Sequence, residues 1–253
     1  MKICVLVKQV PGPDSPLLIS DDKKWIQEEE IDYAMNESDS YALEEALQIK
    51  ERLGEGEVVA ASLGPDRVQK TIREALAKGA DRGIHVKDDY PSTDSYVIAG
   101  QFALALKEEN FDLILSGLQS DDTGMGQTGL MLGEFLGMST STLVMETDIS
   151  EGKLRVKKEL EAGWFQWVSM DLPACITIQS GLNTPRYPSL RGIMGAKKKE
   201  IKVMESTPQG ELLQSLEKIY VPKKTKLTEM IEGDTDQVVA KLVDVLKRDI
   251  KVL

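Results

Sequence analysis

The chain has 253 residues, of which 41% are hydrophobic, and its formal net charge is −11. This length allows one large domain or two small ones with a substantial buried core. The acidic balance argues against a nucleic-acid-binding protein, because affinity for phosphate backbones comes from clustered Lys and Arg, and no apolar run is long enough to cross a bilayer.

The first predicted element is a strand at residues 3–7, which begins without the pattern of a cleavable signal. Cys4 in this strand and the later Cys175 both lie in apolar, strand-like runs. Two cysteines in such runs indicate buried thiols in a reducing compartment rather than a disulfide framework. We therefore expect a soluble cytoplasmic protein.

Short β-branched segments then alternate with segments of helical periodicity. We predict helices at 40–52, 65–78, 92–108 and 126–136, and further strands at 57–62, 83–86 and 112–116. Pro65 is expected in the first turn of its helix, Gly79 at the end of that helix, and Ser92 or Thr93 as the N-cap of the next.

This alternation predicts a doubly wound α/β domain with a mostly parallel sheet covered on both faces. Ligands of such sheets bind outside the carboxyl ends of the strands, here after Val7, Ser62 and Ser116. The single histidine, His85, lies in an apolar run, which is more typical of a strand residue than of a base or metal ligand. Since Cys-x-x-Cys, HExxH, Walker A and GxSxG patterns are also absent from the sequence, the chain carries no obvious catalytic machinery.

A glycine-rich loop at 117–129 follows the strand at 112–116 and opens a helix. Its glycines let backbone amides approach an anion, and the helix N-terminus adds partial positive charge. Gln127 and Thr128 offer side-chain donors to phosphate oxygens. Such turns are also common without a ligand, so the pattern alone leaves a nucleotide site and an empty turn both open.

Segments 142–149 and 153–160 flank a turn at Ser150-Glu151-Gly152, and 164–170 offers a third strand. We interpret these as an antiparallel extension of the same sheet. Trp164 and Trp167 are expected in the core or in a subunit interface rather than beside a cofactor.

The segment from Gly181 to Met194 contains two prolines and two glycines before the run Lys197-Lys198-Lys199, and it is predicted to lack regular structure. It nevertheless carries large apolar side chains at Tyr187, Leu190, Ile193 and Met194. A loop of this kind suits docking onto another protein. The alternative, a loop folded back on its own core with solvated lysines, remains open.

We predict an α/β domain at residues 1–205, which includes the irregular segment at 182–199, and a C-terminal segment at 206–253. That segment is polar, with Pro208, Gly210 and the run Lys223-Lys224-Thr225-Lys226, and ends in an amphipathic helix at 234–247. It either embraces a partner subunit or packs back on its own domain.

The motif Asn183-Thr184-Pro185-Arg186-Tyr187, followed by Ser189-Leu190, resembles the hallmark of electron transfer flavoprotein beta subunits. Other pieces match in order: Cys4 to Gln9, Asn36, Ala42 to Ala46, Ser62 to Pro65, Ala77 to Arg82, and the loop Gln119 to Gly129. The resemblance covers residues 1–250, and the combination in this order is highly specific.

The resemblance implies that residues 1–205 form a nucleotide-binding domain of the Rossmann-like, adenine-nucleotide-binding type, with a recognition loop at 182–199. It also implies an electron-carrier subunit rather than a stand-alone catalyst. It implies structural AMP in this chain, FAD held mainly by an alpha subunit in a heterodimer, and a C-terminal arm that wraps that subunit. Electrons would pass from acyl-CoA dehydrogenases of fatty acid oxidation, or similar flavin dehydrogenases, to a membrane quinone oxidoreductase. The implied AMP contacts are Leu6, Asn36, Asp39, Leu63, Gly117, Gln119, Ser120, Asp122, Thr123, Gly124, Met125, Gly126, Gln127 and Thr128. Of these, Leu6 and Leu63 would contact the adenine through backbone groups, and Asp39 would accept a hydrogen bond from the ribose or from a backbone amide.

The resemblance also implies docking of the dehydrogenase through Leu190 as an anchor, framed by Tyr187, Ile193 and Met194. Glu159 matches the position of an acidic docking residue, and the three lysines at 197–199 match a cluster that steers acidic partners.

Two alternatives stay open. The first is a bifurcating flavoprotein subunit that binds a second FAD in place of AMP and takes electrons from NADH; the absence of a proline after Gly129 and the presence of Thr128 favour AMP. The pair Asp121-Asp122 complicates either nucleotide, because negative charge near a phosphate must be offset. The second alternative is a non-redox regulator that binds adenine nucleotides.

Overall fold

The computed structural model describes residues 1–89, 92–150, 152–207, 211–223 and 228–252. The chain separates into two compact units, Met1–Lys218 and Ile219–Leu253. The first unit contains the main sheet and both core clusters.

The strands of the described residues are β1 (Lys2–Leu6), β2 (Gln9–Pro11), β3 (Tyr33–Met35), β4 (Glu57–Gly64), β5 (Arg82–Lys87), β6 (Leu113–Gly117), β7 (Ser139–Ser150), β8 (Lys153–Glu159), β9 (Phe165–Asp171), β10 (Ala174–Ile178) and β11 (Ile201–Glu205). Nine of them form the main sheet, in the order β11-β5-β4-β1-β6-β10-β7-β8-β9, and β2 and β3 form a separate hairpin. The pairs from β11 to β7 are parallel, whereas β8 and β9 are added antiparallel. This arrangement confirms the predicted α/β class with its antiparallel extension.

Two apolar clusters cover the two faces of the sheet. In β1, Ile3 and Val5 belong to one cluster and Cys4 and Leu6 to the other, as the alternation of side chains along a strand requires. Helices α1 (Glu37–Leu53) and α2 (Gln69–Lys78) pack in the first cluster, and α3 (Ser95–Leu106) and α4 (Thr128–Phe135) in the second.

Four predicted helix starts in the first unit are wrong. Helix α1 begins at Glu37, three residues before the predicted start. Asp94, and not Ser92 or Thr93, caps α3, because its carboxylate accepts the Tyr96 amide at 2.9 Å. Pro65 precedes a separate 3₁₀ turn, Asp66–Val68, so α2 begins only at Gln69. Helix α4 begins at Thr128 instead of residue 126.

The late start of α4 follows from two glycines in the preceding loop. Gly124 and Gly126 have φ of 63° and 64°, which a right-handed helix does not allow. Gly79, by contrast, ends α2 as predicted, with φ of 138° and its amide bonded to the Ala75 carbonyl.

The region predicted to be an irregular loop contains a helix, α5 (Leu190–Ala196), which corrects that expectation. Ser189 caps it by accepting the Gly192 amide at 3.0 Å, so the second proline of the segment, Pro188, lies just before the cap and does not interrupt the helix.

In the second unit, α6 (Thr235–Val245) begins with a capping box at Asp234 and Gln237 and ends two residues before the predicted end, where a wider turn, Leu246–Ile250, follows. Of the polar segment singled out in the sequence, Pro208, Gly210 and Lys224 to Lys226 lie outside the described residues, as does Glu151 of the predicted hairpin turn.

The two tryptophans of the antiparallel extension are not core residues, since Trp164 is 72% exposed and Trp167 is 42% exposed. His85 is a buried residue of β5, as the sequence predicts. Its Nε2 donates to the Gly64 carbonyl at 2.8 Å, which leaves Nδ1 to accept from Gln69 at 3.3 Å.

At the amino end of the sheet, Glu109 joins the starts of three strands. Its carboxylate contacts Lys2 at 3.0 Å, Arg82 at 2.7 Å and Lys202 at 3.1 Å. Burial opposes the ionisation of Glu109, but hydrogen bonds from the three cations lower its pKa to about 2. A binding site is therefore expected at the opposite, carboxyl end of the sheet.

Candidate functional site

A cleft of about 510 Å³ opens at the carboxyl ends of β1, β4 and β6. All the nucleotide-binding residues suggested by the sequence line it except Gly124, which forms the turn behind it and donates its amide to the Ser120 carbonyl at 2.9 Å. The fold therefore brings together segments of sequence more than 100 residues apart. The predicted residues that line the cleft are Leu6, Asn36, Asp39, Leu63, Gly117, Gln119, Ser120, Asp122, Thr123, Met125, Gly126, Gln127 and Thr128.

Asp39, in the first turn of α1, joins the ends of two strands. One carboxylate oxygen accepts the Lys8 amide at 2.7 Å after β1, and the other accepts the Gly117 amide at 2.8 Å at the end of β6. Burial raises the pKa of Asp39 to about 6, although the two amides oppose the rise. Of the two predicted roles for Asp39, the acceptance of backbone amides is therefore the one present in the structure.

Gly117 must be a glycine for steric reasons. A Cβ at this position would lie 2.1 Å from Ser38 Oγ and 2.5 Å from Asp39 Oδ1. Any larger residue would push α1 away from the end of β6 and would break the Asp39 bridge.

Asn36 uses its side chain to hold the glycine-rich loop. Its Nδ2 donates to the Gln119 carbonyl at 3.0 Å, and its Oδ1 accepts the Asp121 amide at 2.9 Å. Ser38 Oγ donates to the same Gln119 carbonyl at 2.7 Å. Asn36, predicted as a direct nucleotide contact, thus lines the cleft mainly as a support for the loop.

The negative charges of the two loop aspartates, Asp121 and Asp122, are offset by different groups. Asp121 accepts the Glu37 amide at the start of α1, at 3.1 Å. Asp122 accepts from the Lys8 ammonium at 2.6 Å and from the Thr123 amide at 2.6 Å. Burial opposes the ionisation of Asp122, but Lys8 keeps its pKa below the usual value.

Lys8 is a residue that the sequence reasoning missed. The available signal was a cation two residues after the end of β1, since side chains that follow parallel strands meet at the same edge of the sheet. Lys24, Trp25 and Arg67 also line the cleft and were not predicted, because they come from segments without a recognisable pattern.

The floor of the cleft lies between β6 and the start of α4. Ser116 Oγ is buried there and has no hydrogen-bond partner among the described residues. A Cβ on Gly129 would lie 2.5 Å from that oxygen, so this glycine permits the close approach of helix and strand. The N-terminus of α4, with Gln127 as its cap, thus faces the cleft.

A segment of the chain near residue 214 is bonded to three points of the cleft rim. Asp94 Oδ2 accepts the amides of Leu213 at 2.7 Å and Gln214 at 2.9 Å, while its other oxygen caps α3. Gln214 Nε2 reaches Met125 Sδ at 3.7 Å, and Lys24 Nζ donates to the Leu216 carbonyl at 3.0 Å.

The recognition-loop segment is held to α1 by Arg186. Its guanidinium bonds Glu44 at 2.8 Å and Glu51 at 2.6 Å. Hydrogen bonds from Arg186 keep the pKa of Glu51 below its usual value, and at Glu44 they outweigh the opposing effect of burial. The backbone of the segment around Arg186 therefore lies against its own domain. This was one of the two arrangements that the sequence left open.

The apolar side chains of this segment are nevertheless exposed. Tyr187 is 94% exposed, Leu190 76%, Met194 66% and Ile193 45%. These four side chains, hereafter the apolar patch, combine a fixed backbone with free side chains, which is the arrangement that docking requires. Glu159, at the end of β8, accepts from Gln179 Nε2 at 3.2 Å.

The three lysines after the patch differ in role. Lys197 and Lys198 are exposed. Lys199 is not free to steer a partner, because its ammonium donates to the Leu76 carbonyl at 3.0 Å and the Ala80 carbonyl at 2.5 Å and so caps the end of α2.

Comparison with known proteins identifies the family of the chain. The model of the electron transfer flavoprotein domain matches residues 24–209. The chain is 35% identical to the electron transfer flavoprotein subunit beta of Methylophilus methylotrophus, over 97% of this chain and 98% of that protein. It belongs to the electron transfer flavoprotein beta subunit family.

Other beta subunits agree along their whole length. The Bacillus subtilis protein is 32% identical over 100% of both chains, and the human protein is 34% identical over 97% of this chain and 98% of its own. Membership implies an electron-carrier role, an alpha subunit as partner and a flavin in the complex. Within the described residues, no helix is long and apolar enough to cross a membrane.

Proposed function

We propose that this chain is the beta subunit of a heterodimeric electron transfer flavoprotein. The heterodimer takes single electrons from acyl-CoA dehydrogenases or similar flavin dehydrogenases and delivers them to a membrane quinone oxidoreductase. One observation carries the proposal. This member of the family has both a nucleotide-sized cleft and a fixed loop that exposes an apolar patch. The redox chemistry comes from FAD held mainly by the alpha subunit, and this chain supplies docking and structural support.

AMP is the ligand that we propose for the cleft. A volume of about 510 Å³ lies within the range of small-molecule sites. The amides of the glycine-rich loop, the N-terminus of α4 and the unpartnered Ser116 hydroxyl are donors suited to a phosphate. Gln127 and Thr128 would hold the phosphate, and the backbone of Leu6 and Leu63 would contact the adenine.

A second FAD in the same cleft, with NADH as the electron donor, is the competing proposal. The sequence around Thr128 favours AMP, because a hydroxyl there can donate to a terminal phosphate. The non-redox regulator is not proposed further, because the family to which the chain belongs is one of electron carriers.

For docking, we propose that the apolar patch binds the dehydrogenase, with Leu190 as the anchor and Glu159 as an acidic contact. The exposure of the patch and its fixed backbone support this role. The polar C-terminal segment is proposed to wrap the alpha subunit, which agrees with the exposed apolar side chains of α6, Val239 and Leu242.

The test is to co-purify the chain with its alpha subunit, denature the complex, and quantify the released nucleotides by chromatography. One FAD and one AMP per heterodimer is the expected result. Two FAD and no AMP would replace AMP with the second flavin and make NADH oxidation the next assay. Release of one FAD and no AMP would contradict the proposed use of the cleft.

A further inference from the structure

The ammonium of Lys8 lies among three acceptors of the glycine-rich loop. Its Nζ is 2.6 Å from Asp122 Oδ1, 3.2 Å from Ser120 Oγ and 3.4 Å from Thr123 Oγ1. All four residues line the cleft. Lys8 therefore joins the end of β1 to the loop that follows β6.

These contacts account for the full donor capacity of Lys8. A lysine ammonium has three N–H donors and no acceptor. Three loop oxygens lie within 2.6–3.4 Å of Lys8 Nζ, so each donor has an acceptor on the loop in this geometry. The charge of Lys8 is thus directed at the protein rather than at a ligand.

The loop needs this charge because it is acidic. The side chain of Asp122 is only 10% exposed, so its carboxylate is poorly screened by water. Asp121 is offset separately by the Glu37 amide, and Asp39 by two amides of its own. Without Lys8, the charge of Asp122 would repel any phosphate held by the same loop.

We propose that Lys8 is a positioning residue that neutralises Asp122 and holds the loop, so that an acidic segment can bind the phosphate of an adenine nucleotide. The inference rests on the proposed function, in which such a nucleotide occupies the cleft. It assigns Lys8 no direct contact with the ligand, and this distinguishes it from a phosphate-binding lysine.

The experiment uses the co-purified heterodimer. Its bound AMP is removed, and AMP binding is then measured by titration calorimetry. We expect Lys8→Met to weaken AMP binding roughly tenfold or more, since an unpaired carboxylate then lies beside the phosphate. Lys8→Arg keeps the charge and is expected to bind within about threefold of wild type. In the double variant Lys8→Met/Asp122→Asn, the removal of both charges is expected to restore the affinity to the same range.

Lys24→Met is the matched control. Lys24 also lines the cleft, but its ammonium donates to the carbonyls of Leu216 and Glu217 and not to the acidic loop. We expect its removal to weaken AMP binding less than Lys8→Met does. Equal losses would overturn the proposal, because they would report only a general attraction of the cleft for anions.

The remaining outcomes are also decisive. Wild-type affinity in Lys8→Met would overturn the proposal, and so would a double variant as weak as the single one, because Lys8 would then act on the phosphate itself. Failure of the wild-type complex to bind AMP at all would instead contradict the proposed function. If Lys8→Met does not fold, Asp122→Asn alone replaces it: AMP binding at least as tight as wild type supports the proposal, and weaker binding overturns it.

Discussion

At the scale of single residues, Leu190 is the side chain that tests the docking role most directly. It is 76% exposed, so its truncation should leave the fold intact. Burial of a leucine at an interface stabilises a complex by about 1.5–3 kcal/mol, and we expect Leu190→Ala to weaken dehydrogenase binding roughly tenfold or more. The measurement is the dissociation constant of the heterodimer from its dehydrogenase, with Leu17→Ala, another exposed leucine, as the control. Unchanged binding by Leu190→Ala would exclude it as the anchor.

Glu109 leads to a prediction about pH. Its pKa is lowered to about 2 in the folded protein, so its contribution to stability is present above the unfolded pKa near 4.5 and is lost as the pH falls toward 2. We expect Glu109→Gln to lower the free energy of unfolding by roughly 1–3 kcal/mol at pH 7. The difference from wild type should shrink below pH 4.5 in denaturant titrations. A difference that persisted undiminished at pH 2 would mean that the charge of Glu109 does not matter.

At the scale of elements, the packing of α5 on α2 offers a matched pair of substitutions. A Cβ on Gly192 would lie 2.2 Å from the Ala77 carbonyl oxygen, whereas a Cβ on Gly195 would have no heavy atom within 4 Å. We expect Gly192→Ala to destabilise the protein by roughly 1–3 kcal/mol, since α5 must move. Gly195→Ala in the same helix should be neutral or slightly stabilising, because alanine favours helix more than glycine does.

Thermal unfolding of the two glycine variants is the check. The same two proteins also test the docking proposal, because a displaced α5 carries Leu190, Ile193 and Met194 with it. Equal stability of the two variants would show that α5 is free to shift away from α2 without cost.

Strands β1, β4, β5 and β6 and the helices between them were predictable because each has a regular apolar period, whereas β11 and several helix boundaries were not predicted. The start of α3 depended on whether Asp94 or a neighbouring Ser or Thr supplies the cap, and all three types are good caps. Helix α5 was missed because the two prolines and two glycines of residues 181–194 suggest a loop, yet one of those glycines, Gly192, allows α5 to approach Ala77. A local pattern does not report which neighbour will be close.

At the scale of the whole molecule, the first unit holds the entire main sheet and both core clusters. We therefore expect a chain ended after Lys218 to fold with a cooperative thermal transition. If the C-terminal segment wraps the alpha subunit, the shortened chain should lose co-purification with that subunit. Full-length Leu242→Asp, which places a charge on an exposed apolar residue of α6, should weaken co-purification, whereas Lys241→Ser should not. Full recovery of the alpha subunit with the shortened chain would contradict the proposed arm.

The parts of the site that follow a local sequence pattern were predictable. The glycine-rich loop and the strand ends line one cleft, as expected from the rule for parallel sheets. The side-chain contacts within the cleft were not predicted. Lys8 donates to the Asp122 carboxylate, and Asn36 donates to the Gln119 carbonyl. These contacts join residues more than 80 positions apart, and no periodicity encodes them.

The double use of Asp94 has a mechanical consequence. One oxygen of its carboxylate ends α3, and the other holds the main chain at Leu213 and Gln214. A displacement of the main chain at Leu213 and Gln214 would therefore act directly on the first turn of α3. Since Ser95 in that turn lines the cleft, Asp94 couples the position of this segment to the shape of the cleft wall.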